Sequence, residues 1–415
     1  MSSDISSDIS SDVRVDGQVH DERADLRVAI DVSAVHSTSG GVLRYVDGLV
    51  RNLPSLGVEL LLVDQRVRAG SVEGRLFSAV GQTTVIGRAP KSPAARLVWE
   101  QLALARLVGQ LGDVTVLHSP HYTMPRVGAR VSGGGSTRRG GRARRVASVV
   151  TIHDLTFFTL PHLHAPSKKR FFRSAIRYAA THADALVCVS DRTASLLQQH
   201  VDVRVPVVVA PHGIDTSRFQ GTSPSNREFD AEILARLGVR LPYVLSVGTI
   251  APHKNIGALL QAFDQVRRRP GMSELTLVVG GNSWPGAWEA VEQWSTPAVN
   301  RIGFVADEAL PALYRNAAVF VYPSFEEGFG LPVLEALACG APVVTTAGSV
   351  MADVAGAHAV TVDTTSLTAI ADGIAQCLEP SFGEAADRIG YAHGFTWENS
   401  AVKHRDAYEL ARQTL

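Results

Sequence analysis

Short strand-like runs, most of them rich in apolar residues, recur along this chain, separated by stretches whose apolar positions fall three and four apart. The first series of runs covers 26–31, 58–63, 114–117, 147–152, 185–189 and 205–209. Such runs are too short for helices and lack polar alternation, so they read as strands buried on both faces. Between them, 42–53 carries Leu43, Val46, Leu49, Val50 and Leu53 at helical spacing, and 94–107 and 167–180 show the same period. A second series of runs covers 243–247, 275–279, 300–304, 319–322, 343–345 and 359–362. Strands that alternate with helices predict parallel sheets covered on both sides. The turn-rich stretch 220–226 divides the two series. The pattern therefore predicts an α/β chain with two Rossmann-like domains, their strand ends facing one another across a cleft.

Composition narrows this picture in three ways. Lys plus Arg and Asp plus Glu number 40 each, so charge points to no nucleic-acid or other polyanionic partner. Cys188, Cys339 and Cys377 lack paired spacing and the first two sit in apolar runs, which suits a reducing compartment. Neither a secretory leader nor an apolar run of about 18 residues is present, so the expected location is cytoplasmic. Residues 1–25 form an acidic, low-complexity tail with a repeated Ser-Ser-Asp unit, expected to be disordered. Residues 126–145 hold seven arginines and six glycines and read as a mobile insertion.

The richest chemistry lies in 324–336. The strand at 319–322 runs into Phe325-Glu326-Glu327-Gly328-Phe329-Gly330-Leu331, and a helix opens near Pro332. A glycine-bearing turn leading into a helix N-terminus is an anion site, because free N–H groups and the helix dipole face the ligand. Pro332 suits the first helical turn, where its missing N–H has no partner to lose. Glu327 and Glu335 flank this anion site with seven residues between them. Carboxylates accept hydrogen bonds and sugar hydroxyls donate them. The ligand that satisfies both features is part diphosphate and part sugar. Gly40 and Gly41, in the first strand-to-helix turn, allow close backbone approach to a phosphate.

Glu327-Gly328-Phe329-Gly330-Leu331-Pro332 with Glu335 resembles the Glu-x7-Glu motif of family 4 glycosyltransferases, retaining enzymes of the GT-B fold. Similarity continues through Ala338-Cys339-Gly340-Ala341-Pro342 and covers nearly all of 26–415. It implies an N-terminal acceptor-side domain over 26–220 and a nucleotide-sugar donor domain over 221–395. A last helix within 396–415 crosses back onto the first domain. It also implies roles. Glu327 binds donor-sugar hydroxyls, Glu335 the ribose hydroxyls, and the amides of Phe329, Gly330 and Leu331 meet sugar or phosphate.

Gly248-Thr249-Ile250-Ala251-Pro252-His253-Lys254-Asn255 looks like the family's diphosphate-binding stretch, with Lys254 as its point charge. Two positions depart from it. Thr249 and His253 stand where many relatives carry arginine, and an unperturbed histidine is mostly neutral at pH 7. Thr151-Ile152-His153-Asp154 looks like the catalytic-cleft histidine motif, which places His153 near the reacting carbon. Phe304 and Val305 are expected to line the base pocket, partly through backbone groups. No Asp-x-Asp pair stands at a strand end, so metal-independent transfer without a cofactor is expected. His153, Glu327 and Lys254 would carry catalysis by charge stabilisation and positioning.

Arg96-Leu97-Val98-Trp99-Glu100-Gln101 resembles a stretch of bacterial mannosyltransferase-like members that build surface polysaccharides. That resemblance implies GDP-mannose as donor, a glycan or lipid-linked acceptor and an α-glycosidic product. The helix starting at Lys168 sets Lys169, Arg173 and Arg177 on one face. That face or the 126–145 insertion would contact the inner face of a membrane. The alternative is a non-catalytic nucleotide-sugar-binding or assembly subunit of the same fold.

Overall fold

The computed structural model describes residues 26–35, 40–65, 83–111, 113–126, 130–131 and 144–415. The acidic tail and most of the 126–145 insertion lie outside the described residues. The first sheet has seven parallel strands: β1 (Leu26–Asp31), β2 (Val58–Gln65), β3 (Thr83–Ala89), β4 (Val116–Ser119), β7 (Ala147–Ile152), β8 (Ala185–Cys188) and β9 (Val207–Val209). Two-residue strands β5 (Arg130–Val131) and β6 (Arg144–Arg145) form a separate antiparallel pair. Order across the large sheet is β3-β2-β1-β4-β7-β8-β9.

The second sheet has six parallel strands: β10 (Tyr243–Val247), β11 (Thr276–Gly280), β12 (Val299–Gly303), β13 (Val319–Tyr322), β14 (Val343–Thr346) and β15 (Val360–Val362). Its order is β12-β11-β10-β13-β14-β15. Val28, Ala29 and Ile30 of β1 and Val244 and Leu245 of β10 have no exposed surface, as strands covered on both faces must. The two sheets are the pair of Rossmann-like units that the apolar runs predict.

β3 is the one long strand that the runs do not reveal. Its sequence, Thr-Thr-Val-Ile-Gly-Arg-Ala, is half polar because it lies at the sheet edge, beyond β2. At 220–226 the turn-rich stretch is half helix: Ser223 caps the helix Pro224–Arg236, with Asn226 closing a capping box.

The final helix, Trp397–Gln413, starts from Thr396, whose hydroxyl accepts the Asn399 amide at 3.1 Å. It packs on the first sheet rather than the second. Ala401, Ala407, Tyr408 and Ala411 join the same apolar cluster as Tyr45, Leu49 and Val149. The Trp397 indole lies where a Cβ on Gly48 would be, 2.2 Å from it, so only glycine lets the crossing helix seat. Segments far apart in sequence, around Gly48 and Trp397, are thereby packed together.

Candidate active site

In both sheets strand order reverses about a central pair, β1 and β4 in the first, β10 and β13 in the second. Open parallel sheets bind ligands at such reversals, beyond the carboxyl ends of the strands. Here the two reversals face each other around one cavity of about 330 Å³. Loops after β1, β7, β10 and β13 line it. Gly40, Gly41, His153, Thr249, Lys254, Glu327, Gly328, Phe329, Gly330, Leu331 and Glu335 all lie on its wall.

The motif segment folds as its sequence directs. β13 ends at Tyr322, and the helix Leu331–Ala338 starts from Gly330, whose φ of 99° favours glycine. Gly328 is pressed against the opposite wall. A Cβ there would come within 1.6 Å of the His153 carbonyl oxygen, and Ser190 Oγ donates to the Gly328 carbonyl at 2.8 Å. The second unit's turn is docked onto the first unit.

Two charge clusters divide the cavity. In one, Lys254 donates to Glu327 Oε1 and, at 2.7 Å, to the Tyr322 hydroxyl. Burial opposes the lysine's charge, but Glu327 and Tyr322 outweigh it and hold the ammonium above its ordinary pKa. In the other, Glu335 is fully buried. It accepts from the Tyr314 hydroxyl at 3.1 Å and pairs with Arg44 at 2.9 Å. Arg44 also meets Asp307 at 3.0 Å, and Arg218 holds the other side of Asp307 at 3.4 Å. Burial pushes the Glu335 carboxyl up, and Arg44 opposes that push.

Arg44, Tyr314, Tyr322, Asp307 and Arg218 were not legible as site residues. Arg44 reads as the polar face of an amphipathic helix, and Tyr314 and Tyr322 as core aromatics. Only the turn Gly40-Gly41 just before it marks Arg44 as a cleft residue.

Two expected residues fall elsewhere. Val305 is buried in the second unit's core, and Phe304 beside it lines the cavity. His253 is not on the cavity wall; its ring meets Trp284 at 5.7 Å. Burial, then the Lys254 charge, lowers its pKa to about 4, so it adds no cation at neutral pH.

His153 sits at the end of β7. Its Nε2 lies 2.7 Å from the Pro120 carbonyl, which can only accept, so the proton is on Nε2 and Nδ1 keeps a lone pair. Burial lowers its pKa, leaving a neutral acceptor toward the ligand. Behind it runs a buried chain whose proton directions are all determined. His404 Nδ1 faces the Ser400 carbonyl at 2.7 Å and must donate, so its Nε2 accepts from Tyr45 at 2.8 Å. Tyr45 then accepts from Thr151 at 2.7 Å, and Thr151 from His118 Nε2 at 2.8 Å. His118 Nδ1 finally accepts from Tyr408 at 2.9 Å.

Asp31, Glu100 and His121 offer ligand atoms within 4.8 Å of one another, beside β1 and β4. Arg96 lies 3.3 Å from His121 Nε2, and a guanidinium only donates. With Arg96 as the donor, the ring proton is on Nδ1 and the Nε2 lone pair is shared with the guanidinium. Burial, then Asp31, raises the Glu100 carboxyl to about 7.

A cleft of this kind, between two Rossmann-like units with an anion-binding helix start flanked by carboxylates, defines a GT-B glycosyltransferase. The sequence pattern described as Glycosyltransferase Family 4 matches residues 39–218, and that described as Glycosyl transferases group 1 matches 241–380. O-antigen chain mannosyltransferase B of Escherichia coli is 32% identical over 63% of this chain and 70% of its own length. The serotype-specific mannosyltransferase WbdA of the same species is 26% identical over 63% of this chain and 33% of its length. D-inositol 3-phosphate glycosyltransferase of Corynebacterium aurimucosum is 26% identical over 89% of this chain and 91% of its length. The Anabaena protein HepE, solved with UDP and glucose, superposes with a TM-score of 0.67 at 17% identity, covering 92% of this chain and 98% of its own. The chain belongs to glycosyltransferase family 4 and is a hexosyltransferase.

Proposed function

We propose that the enzyme is a retaining glycosyltransferase that moves mannose from GDP-mannose to a glycan or lipid-linked acceptor, forming an α-glycosidic bond during polysaccharide or glycoconjugate synthesis. The observation that carries the proposal is the pair of glutamates on either side of the helix start at Leu331, one held by Lys254 and one by Tyr314. Glu327 would take donor-sugar hydroxyls and Glu335 the ribose. The diphosphate would lie between the helix start and Lys254, whose raised pKa keeps it charged as the leaving group departs. His153 would accept a sugar hydroxyl at Nδ1. Attack from the donor's front face, with the leaving phosphate taking the acceptor's proton, needs no second carboxylate at the reacting carbon. Charge stabilisation by Lys254 and the helix dipole replaces a metal ion in this scheme.

Mannose is favoured by the names of two relatives, O-antigen chain mannosyltransferase B and WbdA. Among the described residues no helix is long and apolar enough to cross a membrane. A lipid-linked acceptor would then require peripheral contact at the cytoplasmic face, and the 166–182 helix exposes Lys168, Arg170, Phe171 and Arg177 for it. Arg173 is not free for that purpose: it donates to the Phe157 carbonyl at 2.8 Å and lies over the Phe158 ring.

The test is thermal stabilisation by GDP, UDP, ADP, GDP-mannose, UDP-glucose and UDP-N-acetylglucosamine, followed by release of the diphosphate. Stabilisation by GDP and GDP-mannose, lost in Glu335→Ala and Lys254→Ala, is the expected result. Stabilisation by another base would replace the donor and leave the chemistry. Binding without release under any acceptor mixture would favour a non-catalytic sugar-nucleotide subunit, the reading that Thr249 and His253 motivate.

A further inference from the structure

The described residues on the cavity wall include only two side chains with a fixed positive charge, Lys254 and Arg44. Lys254 is already bound to Glu327. The wall histidines, His153 and His212, are held neutral by burial. His253, where a second cation is expected from the motif, is neutral and off the wall. A nucleoside diphosphate brings at least two negative charges into this space, so one lysine and the partial charge of a helix start leave it undercompensated.

Arg44 is placed to supply the second charge. It lies one turn into the helix Gly41–Asn52, which starts at the cavity wall. A Cβ on Gly41 would lie 3.7 Å from Leu331, so the first turns of the 41–52 and 331–338 helices converge on the same space. Arg44 belongs to the first unit, yet its guanidinium rests on Glu335 and Asp307 of the second. The Glu335 carboxylate is the group that ribose hydroxyls would claim under the proposed function. Its departure from Arg44 strands nothing. Glu335 keeps Tyr314 and gains hydroxyl donors, and Asp307 keeps Arg218. The guanidinium is then free beside the anionic part of the same ligand.

We infer that Arg44, paired with Glu335 and Asp307 across the cleft, is the second diphosphate-binding cation of this enzyme, handed to the phosphates when ribose takes the Glu335 carboxylate. The inference rests on the donor-site reading given above. It makes diphosphate recognition depend on the first domain, so the leaving group is fully neutralised only when both domains hold it. Arg44 would touch the leaving group and is in that sense a catalytic residue.

The experiment compares the affinity of the full chain for a nucleoside diphosphate with its affinity for the matching nucleoside, using GDP, UDP and ADP as probes. Arg44→Gln is expected to lower the diphosphate-to-nucleoside ratio about tenfold or more, since a charge-assisted contact is lost. Nucleoside affinity should hold or rise, because Glu335 no longer has to leave a guanidinium. Arg44→Lys should recover part of the ratio. Equal losses for both ligands would make Arg44 a structural strut and overturn the inference. A rise in diphosphate affinity would make it only a competitor for Glu335 and would overturn the inference as well. Absence of wild-type binding to all three diphosphates would instead overturn the donor-site reading itself.

Discussion

The two walls of the cleft are built from the same strand-helix repeat and yet carry different chemistry. On the second unit's wall the polar groups are charged: Lys254 with Glu327, Glu335 with Tyr314, and the opening of the 331–338 helix. On the first unit's wall they are neutral: His153, His212 and, behind them, the chain Tyr408, His118, Thr151, Tyr45, His404. Asp154 and Arg44 are the exceptions: Asp154 accepts from Tyr122 and Thr156 within its own unit, and Arg44 reaches across to the charged wall. A charged wall suits a ligand whose charge grows as it leaves. A neutral wall suits one that must be positioned without ionic contacts. The fixed charges thus cluster on the second unit, and Arg44 carries one from the first unit to them.

Breaking the charged wall should have the largest effect. Lys254→Ala removes the ammonium that would meet the departing charge under the proposed function and leaves Glu327 half-buried without its cation. Diphosphate release should fall about 10²–10³-fold, the cost typical of losing one preorganised stabilising donor. A loss of less than tenfold, measured at saturating donor, would put the leaving-group charge elsewhere.

Next is the contact between the walls. Gly328→Ala sets a methyl group 1.6 Å from the His153 carbonyl oxygen, a backbone atom that cannot yield cheaply. The loop must retreat, and both Glu327 and the His153 ring move with it. Turnover should fall by one to two orders of magnitude, as about 1 Å of misplacement typically costs, while the thermal midpoint of each sheet shifts little. Unchanged turnover would show that the docked arrangement is not the productive one.

Glu327, Lys254 and the glycines that these two changes touch were legible because they sit in contiguous motifs, where spacing, turn chemistry and helix start combine over a short span. Both sheets were legible because strands buried on both faces leave unbroken apolar runs. β3 escaped because edge strands need no such run. Arg44 and Tyr314 escaped for another reason. Their partners in the fold lie on distant segments, and an arginine beside the core residues of an amphipathic helix looks like any solvated face. Past the end of β12 at Gly303, the Phe304 side chain takes the cavity and the Val305 side chain the core. His253 was misplaced by the tight turn Pro252–Lys254, which aims consecutive side chains apart and gives the cavity to Lys254.

The neutral wall should break more gently. Tyr45→Phe cuts a chain in which every donor has one acceptor, leaving His404 Nε2 without a partner and Thr151 without an acceptor for its proton. The cost should be about 1–3 kcal/mol of stability, read as a lower midpoint in denaturant, with kcat falling less than in the Lys254 variant. The chain also predicts a pH dependence. His404 is lowered to about 4 by burial, and His118 and His212 are held well below the ordinary histidine value by burial and by neighbouring histidines. The unfolded chain binds these protons near pH 6.5 and the folded chain does not, so unfolding takes up protons below that pH. Stability should be full above about 6.5 and decline toward pH 4. A midpoint that rises on acidification through this window would contradict the neutral assignment.

The smallest effect tests the one place where motif and geometry disagree. His253 stands where the motif resemblance implies a cation, and Lys254 follows it directly. Its ring, however, packs near Trp284, and its carbonyl accepts the Phe325 amide at 2.9 Å, so its backbone braces the start of the motif loop. Backbone bracing survives a change of side chain. With a pKa lowered to about 4, the imidazole carries no charge that the leaving group could use at neutral pH. His253→Gln should therefore change diphosphate release by no more than about twofold, the kinetic equivalent of an ordinary surface substitution of about 0.5 kcal/mol. The pH profile of kcat between 5 and 8 should keep its shape. A tenfold loss, or a profile that loses an acidic limb, would mean that His253 turns into the cleft and protonates when donor is bound, and the second cation would then belong to the charged wall after all.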